Sequence, residues 1–274
     1  MGKSLGIMQG RLLPRYHNRY QAFPLGYWEA EFHIAAAMGF ARIEVILDHN
    51  DFEDNPMMHA DGLARINGLQ SETGVGVKSV CADYFMEAPF HSEHQHTSEM
   101  VLNRLLDNAS QIGVTDIIIP CADQSALKSE ADQDQLVKSL TRCLPVAKNN
   151  KICLNLETDL GPVPFAQLIG RLNSTFIKVN YDSGNSAALG YDPREEFAAY
   201  GAHISVLHIK DRVRGGGSVF LGTGDSDLDY VFSALGKGIN PSMITLQASR
   251  QLEYVADLTH VALQKKYVEE RMMG

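Results

Sequence analysis

Cysteine is scarce in this 274-residue chain, and its spacing excludes the common metal-binding and redox motifs. The four cysteines, Cys81, Cys121, Cys143 and Cys153, form no C-x-x-C pair, and three of them lie in apolar, strand-like runs. Such a pattern is typical of reduced thiols in a protein core. We therefore expect no disulfide framework.

Long apolar runs and clustered positive charge are also missing. No stretch approaches the roughly 18 apolar residues of a membrane-spanning helix, and the opening MGKSLGIMQGRL has no signal-peptide core. Together with reduced cysteines, this predicts a cytoplasmic protein without a membrane partner. A net charge of −9 with no Lys/Arg cluster argues against nucleic acid as a partner, because phosphate contacts supply most of that affinity. The expected ligand is a small molecule.

The chain has no Pro/Ser-rich linker, and one unit recurs along it: a helical stretch, a turn residue, then a short apolar run ending in polar residues. After the opening SLGIMQGRL, the unit occurs as AAAMGFARIEVILD, SETGVGVKSVCAD, ASQIGVTDIIIPCAD, AKNNKICLNLETD, RLNSTFIKVNYDSGN, AYGAHISVLHIKD and LGKGINPSMITLQAS. Short β-branched runs are typical of parallel strands covered on both faces. Eight units predict a single (β/α)₈ TIM barrel domain over residues 1–274. A doubly wound sheet is the alternative, although its usual Gly-rich first turn is missing.

Glycines lie at the junction of helix and strand in several of these units. Gly39, Gly74, Gly113 and Gly201 each fall between a helical stretch and an apolar run. We expect all of them to end a helix in the left-handed conformation, which glycine adopts without steric cost.

Polar residues follow the last apolar runs of the chain. In a TIM barrel, catalytic groups lie at the carboxyl ends of the strands, and residues two apart on a strand share a face. Each of the last four strands carries a polar face opposite a mostly apolar one, which should meet the outer helices. The polar residues that end these faces are Glu157, Asp182, His208 and Gln247. We expect them to point into one barrel mouth.

This combination of side chains indicates a metal site. Two buried carboxylates without a counter-charge would be costly or would need a raised pKa. A divalent cation removes that difficulty, and three oxygens with one imidazole nitrogen suit Mn²⁺, Mg²⁺, Co²⁺ or Zn²⁺. The alternative is a mouth of separately hydrogen-bonded polar groups with no metal.

The motifs LNLETD, VNYDSGN, HIKDR, LGTGD and ITLQ resemble the sugar phosphate isomerase/epimerase superfamily, the xylose isomerase-like barrels that include ketose 3-epimerases and inosose dehydratases. The resemblance implies Glu, Asp, His and Glu as metal ligands, which map to the four residues above. It implies that the two glutamates exchange a proton with the substrate carbon. It also implies that Arg214 contacts substrate oxygens. Asn185 lies where the epimerases often have a histidine, and we expect it to bind the substrate.

Gln247 departs from this pattern. Glutamine keeps an oxygen that can bind a metal but has no titratable group. Glu157 alone can move a proton on one face of the substrate, which favours aldose–ketose isomerisation through an enediolate, with Lys210 and Arg214 stabilising negative charge or a phosphate. Epimerisation stays open if Lys210, Asp211 or water supplies a second proton, and a sugar or inosose dehydratase is a further alternative.

Two more arginines are candidate substrate-binding residues. Arg11 follows the first strand and would reach the substrate or form a surface ion pair, whereas Arg250 follows the last strand and would bind the same anion as Arg214.

Two functions outside the isomerases are alternatives for such a barrel. A non-catalytic sugar-binding barrel would explain Gln247 as the relic of a lost base, and a metal-dependent endonuclease is disfavoured by the charge of −9. A homodimer is the default expectation for the assembly.

Overall fold

The computed structural model describes residues 4–251 and 253–273, and eight of its strands close into a parallel barrel. The predicted TIM barrel is confirmed. The strands are β1 (Leu5–Met8), β2 (Arg42–Ile46), β3 (Ser79–Cys81), β4 (Asp116–Cys121), β5 (Cys153–Thr158), β6 (Ile177–Asp182), β7 (Ile204–Ile209), β8 (Asp211–Arg212), β9 (Ser218–Val219) and β10 (Met243–Leu246). The barrel order is β1-β10-β7-β6-β5-β4-β3-β2, and β8 and β9 form a small antiparallel hairpin outside it.

Helices surround the barrel and connect its strands. They are α1 (Ala30–Ala37), α2 (Ala60–Thr73), α3 (Tyr84–Glu87), α4 (Gln95–Ser110), α5 (Glu130–Asn150), α6 (Pro162–Leu172), α7 (Ser183–Leu189), α8 (Pro193–Tyr200), α9 (Leu228–Ala234) and α10 (Tyr254–Met273). Short 3-10 turns occupy Tyr16–Asn18, Phe52–Asp54, Pro56–Met58, Asp123–Ser125 and Gly201–His203. No helix in the described ranges is both long and apolar enough to cross a membrane.

The two faces of the strands pack against different partners. Outward residues such as Ile43, Leu154 and Leu207 join the large core between barrel and helices. A separate inner cluster fills the barrel below its mouth, formed by Met8, Ile46, Cys81, Ile118, Val206 and Met243. Because inward residues alternate along a strand, the next inward residue after Val206 is His208. The polar mouth therefore rests on an apolar floor.

Three of the four predicted helix-ending glycines are confirmed. Gly39, Gly74 and Gly113 have φ values of 73°, 73° and 81°. The expectation for Gly201 is wrong, because it has φ −54° and ψ −34°. The chain continues from it into a 3-10 turn, Gly201–His203, in place of a left-handed helix end. A Cβ atom at Gly201 would lie 2.6 Å from Ile239 Cδ1, so the end of that side chain would have to shift to admit one.

The four cysteines all lie in the described residues and are free thiols, three of them buried. This confirms the expectation that the chain has no disulfide.

Candidate active site

Three of the predicted ligands meet at the carboxyl ends of β5, β6 and β7. Glu157, Asp182 and His208 each offer one ligand atom, and these atoms all lie within 4.8 Å of one another. His208 Nδ1 is 3.9 Å from Glu157 Oε2 and 3.9 Å from Asp182 Oδ2. The strand register sets Asp182 directly beside His208. Parallel pairing thus brings together side chains that are far apart in sequence.

Only one of the two carboxylate oxygens of Asp182 accepts a hydrogen bond from the described residues. Its Oδ1 caps α7 by accepting the backbone N–H of Asn185 at 2.8 Å. Its Oδ2 is buried and accepts no hydrogen bond from the described residues, although Lys210 Nζ lies 3.5 Å away. The cap fixes the carboxylate so that Oδ2 is the oxygen facing His208.

Glu157 is held by two amides. Asn180 Nδ2 donates to its Oε2 and Asn185 Nδ2 to its Oε1, each over 2.6 Å. Burial, and then the charge of Asp182, raise the pKa of Glu157 to about 7. A carboxyl group that titrates near neutral pH is suited to both taking and returning a proton.

His208 has a carboxylate partner across the barrel. Its Nε2 lies 2.6 Å from Glu44 Oε1, and both side chains are 1% exposed. Burial is the largest single effect and acts to lower the pKa of His208. The charge and hydrogen bonding of Glu44, together with the charges of Glu157 and Asp182, outweigh it and raise that pKa to about 9. Glu44 also accepts hydrogen bonds from Ser79 Oγ (2.6 Å) and Thr245 Oγ1 (3.3 Å).

The Glu44–His208 contact was not predicted from the sequence. The signal for it is strand alternation, because Glu44 lies two residues before Ile46 of the inner cluster and shares its face. With Nε2 directed at Glu44, Nδ1 faces the two other ligands, where Asn180 Nδ2 approaches it to 3.0 Å.

Asn185 joins Glu157 to two cationic side chains. Its Oδ1 accepts hydrogen bonds from Lys210 Nζ (3.1 Å) and Arg212 Nη1 (2.8 Å). Arg212 follows Lys210 by two residues, and both side chains reach the same amide oxygen. The structure does not bring Arg214 to this cluster, since Arg214 is exposed and its guanidinium lies beside Gly190.

Arg11 and Arg250 lie behind the mouth. Arg11 is 1% exposed and donates to the carbonyls of Ala248 and Tyr20, so the alternative of a surface ion pair is wrong. Arg250 forms a buried ion pair with Asp257 at 2.8 Å. Substrate contact by either arginine stays a prediction.

Gln247 is 7% exposed, and its amide has a defined orientation. Its Nε2 donates to Gln21 Oε1 over 2.9 Å. Its Oε1 is buried and accepts no hydrogen bond from the described residues.

Glu157, Asn185 and Gln247 open onto a cavity of about 260 Å³. Lys210 and Arg212 line it as well, and so do Arg19 and Asp48, which form an ion pair at 2.6 Å. The cavity is small and carries charges of both signs, as suits a small polar ligand.

The residues present fit a divalent cation. Asp182 Oδ2 is a buried oxygen that accepts no hydrogen bond from the described residues, and Glu157 and His208 place an oxygen and a nitrogen beside it. Gln247, which lines the cavity with Glu157, has a second buried oxygen, Oε1, that accepts none from the described residues. Such a set of hard oxygens with one imidazole binds Mn²⁺, Mg²⁺, Co²⁺ or Zn²⁺.

Comparison with known proteins gives relatives over nearly the whole chain. A family model for the xylose isomerase-like TIM barrel matches residues 32–258. L-ribulose-5-phosphate 3-epimerase UlaE of Escherichia coli is 24% identical over 269 residues, which cover 92% of this chain and 93% of that protein.

Solved structures have the same fold. The 3-keto-D-glucoside 4-epimerase YcjR of E. coli superposes with a TM-score of 0.73 at 16% identity, covering 96% of this chain and 99% of that one. A xylose isomerase-like TIM barrel protein from Mycobacterium smegmatis, solved in complex with magnesium, has a TM-score of 0.73 at 15% identity, with 99% and 96% covered. At such identities the likeness establishes the fold.

Proposed function

The chain belongs to the family of xylose isomerase-like TIM barrels, and we propose that it is a divalent-metal-dependent isomerase or epimerase acting on a sugar or sugar phosphate. The observation that carries the proposal is the convergence of Glu157, Asp182 and His208 within 4.8 Å in the mouth of the barrel. Epimerases of sugars or sugar phosphates among the relatives support the substrate class.

Four residues would hold the metal: Glu157, Asp182, His208 through Nδ1, and Gln247 through Oε1. When bound, a divalent ion supplies a positive charge that polarises carbonyl and hydroxyl oxygens of a substrate. The structural neighbour from Mycobacterium smegmatis was solved in complex with magnesium, which supports a divalent ion as the cofactor.

Glu157 is the proposed base. Its carboxylate would remove the proton next to the substrate carbonyl, which leaves an enediolate, and would return that proton to the neighbouring carbon. Asn180 and Asn185 fix the carboxylate during this transfer. A single base serves one face of the substrate, so the proposal favours an aldose–ketose isomerisation.

Epimerisation at a single carbon is the second candidate, because Lys210 Nζ lies inside the cluster, 3.1 Å from Asn185 Oδ1. A lysine there would act as the second acid–base group on the other face. Asp211 is less suited to this role, since it is buried and accepts backbone N–H bonds from Gly222, Gly224 and Ser226. Lys210 and Arg212 together would bind an anionic oxygen or phosphate of the substrate.

The test is deuterium incorporation from heavy water into a panel of aldoses, ketoses and their phosphates, with Mn²⁺ present. We expect deuterium next to a carbonyl, and we expect Glu157→Gln to slow exchange by about 10²–10⁴-fold, the usual contribution of a general base. Glu130→Gln, at the start of α5 and outside the lining of the cavity, serves as the control carboxylate substitution.

Two results would count against the proposal. Exchange that is unaffected by Glu157→Gln would remove its base, and ligand binding without any exchange would favour a non-catalytic sugar-binding barrel. Loss of water from the substrate would instead indicate a dehydratase. The cytoplasmic location and the homodimer stay predictions.

A further inference from the structure

A directed set of hydrogen bonds connects Arg11, in the loop after β1, with Gln247, after β10. Arg11 Nη2 donates to Gln21 Oε1 over 2.8 Å, and Gln247 Nε2 donates to the same oxygen over 2.9 Å. On its other side, Gln21 Nε2 donates to Asp83 Oδ2 over 2.7 Å. We call Arg11, Gln21 and Asp83 the amide-orienting triad.

Arg11 sets the direction of these bonds. It is 1% exposed and fixed by the carbonyls of Ala248 and Tyr20. A guanidinium has donors and no acceptor, so the Gln21 atom that faces it must be the amide oxygen. A turned-over Gln21 would place its N–H group against the guanidinium and its oxygen against the carboxylate of Asp83. Both contacts would be unfavourable.

The direction of Gln21 decides the direction of Gln247. Since Gln21 presents an acceptor, only the Nε2 of Gln247 can bond to it, and the Oε1 of Gln247 must face away. That oxygen is buried and accepts no hydrogen bond from the described residues. A buried acceptor without a donor carries a free-energy penalty, which a bound ligand would remove. The Gln247 side chain lines the same cavity as Glu157.

A carboxylate at position 247 would face a hydrogen-bond acceptor and no donor. It would set a charged acceptor against Gln21 Oε1, and the triad prevents Gln21 from turning to offer its N–H group. The surroundings of position 247 are therefore built for an amide. This observation opposes the idea that Gln247 is the relic of a lost glutamate.

We propose that Arg11, Gln21 and Asp83 are positioning residues that select an amide at position 247 and hold its carbonyl oxygen ready for a divalent cation. The selection of an amide stands on the hydrogen-bond directions alone. The identity of the ligand rests on the proposed function.

The first test, the melting cycle, is a double-mutant cycle of melting temperatures measured at pH 8 in EDTA. It compares the wild type, Gln21→Met, Gln247→Glu and the double variant. Methionine keeps the length of glutamine but has no strong acceptor. We expect Gln247→Glu to lower the melting temperature of the wild type by about 3 °C or more, and to have a much smaller or opposite effect in the Gln21→Met background. A second cycle with Gln124→Met, an exposed glutamine of the same cavity, should give no such difference. Equal effects of Gln247→Glu in both backgrounds would overturn the proposal.

The second test is Mn²⁺ affinity by calorimetry in the same proteins. We expect Gln247→Glu to weaken Mn²⁺ binding in the wild type despite the added charge, and to strengthen it by on the order of tenfold in the Gln21→Met background, where the carboxylate can turn towards the ion. Equal strengthening in both backgrounds would overturn the positioning role. If the wild type binds no Mn²⁺, the proposed metal site fails, whereas the melting cycle still decides whether the triad selects an amide.

Discussion

At the residue scale, the histidine of the site depends on a carboxylate that does not itself reach the other ligands. Glu44 Oε1 lies 2.6 Å from His208 Nε2, and this contact directs Nδ1 towards Glu157 and Asp182. Carboxylates that orient a ligand histidine in this way fix its tautomer and raise its basicity. Glu44 is therefore a positioning residue of the proposed metal site.

This role gives a first prediction for Glu44→Gln. Because the amide carries no charge to hold the imidazole, we expect Mn²⁺ binding, measured by calorimetry, to weaken by about 10–100-fold. Glu196→Gln is the matched control, since Glu196 is also a buried carboxylate but accepts its hydrogen bonds from Tyr181, Ser186 and Tyr200. A loss of affinity that is equal in both variants would point to general destabilisation instead.

The site residues also illustrate what a sequence can predict at this scale. Glu157, Asp182 and His208 follow from strand alternation, because each ends a regular strand. Arg212 and the Glu44–His208 contact obey the same rule and could have been found by applying it to every strand. Gln21 could not, since it lies in an irregular loop and is oriented by Arg11, Asp83 and Gln247, which are remote in sequence.

At the scale of elements, the loop after β1 is attached to α1 by one buried carboxylate. Glu31 accepts the backbone N–H groups of Gly10 (2.8 Å) and Leu12 (3.0 Å) and is 0% exposed. Burial raises its pKa to about 7, although the two backbone bonds act in the opposite direction. The loop that carries Arg11 and Gln21 thus depends on a group that is costly to ionise.

The raised pKa of Glu31 gives a second prediction, on stability against pH. A carboxyl whose pKa is higher in the folded state contributes its full stability below about pH 4.5 and loses it as pH rises through about 7. We expect the free energy of unfolding of the wild type to fall by about 3 kcal/mol over this pH range because of Glu31. This contribution should be absent in Glu31→Gln. Urea unfolding of both proteins at pH 5 and pH 8 checks it, and the same pH dependence in the two would contradict it.

The sequence predicted the secondary-structure elements best. The repeated unit predicted all the barrel strands, since helix-ending glycines and short buried strands leave strong local signals. Gly201 was the exception, because the chain there keeps helical dihedral angles and continues into a 3-10 turn before the strand. The spacing of glycines does not distinguish such a turn from a left-handed helix end.

At the scale of the whole molecule, the proposed metal would stabilise the fold by binding the native state only. This gives a third prediction: Mn²⁺ at about 100 times its dissociation constant adds about 2.7 kcal/mol of stability. We expect the melting temperature to be about 5–10 °C higher than in EDTA. Asp182→Asn should abolish this difference, and a difference that persists in the variant would place the ion elsewhere.

The proposal that four strand ends converge on one ion is tested most directly by a crystal structure of the protein with Mn²⁺ and anomalous diffraction data. We expect one anomalous peak within about 2.5 Å of oxygens of Glu157, Asp182 and Gln247 and of the Nδ1 atom of His208. Absence of a peak there at saturating Mn²⁺ would contradict the proposal. So would a peak that lies out of reach of Glu157, Asp182 and His208.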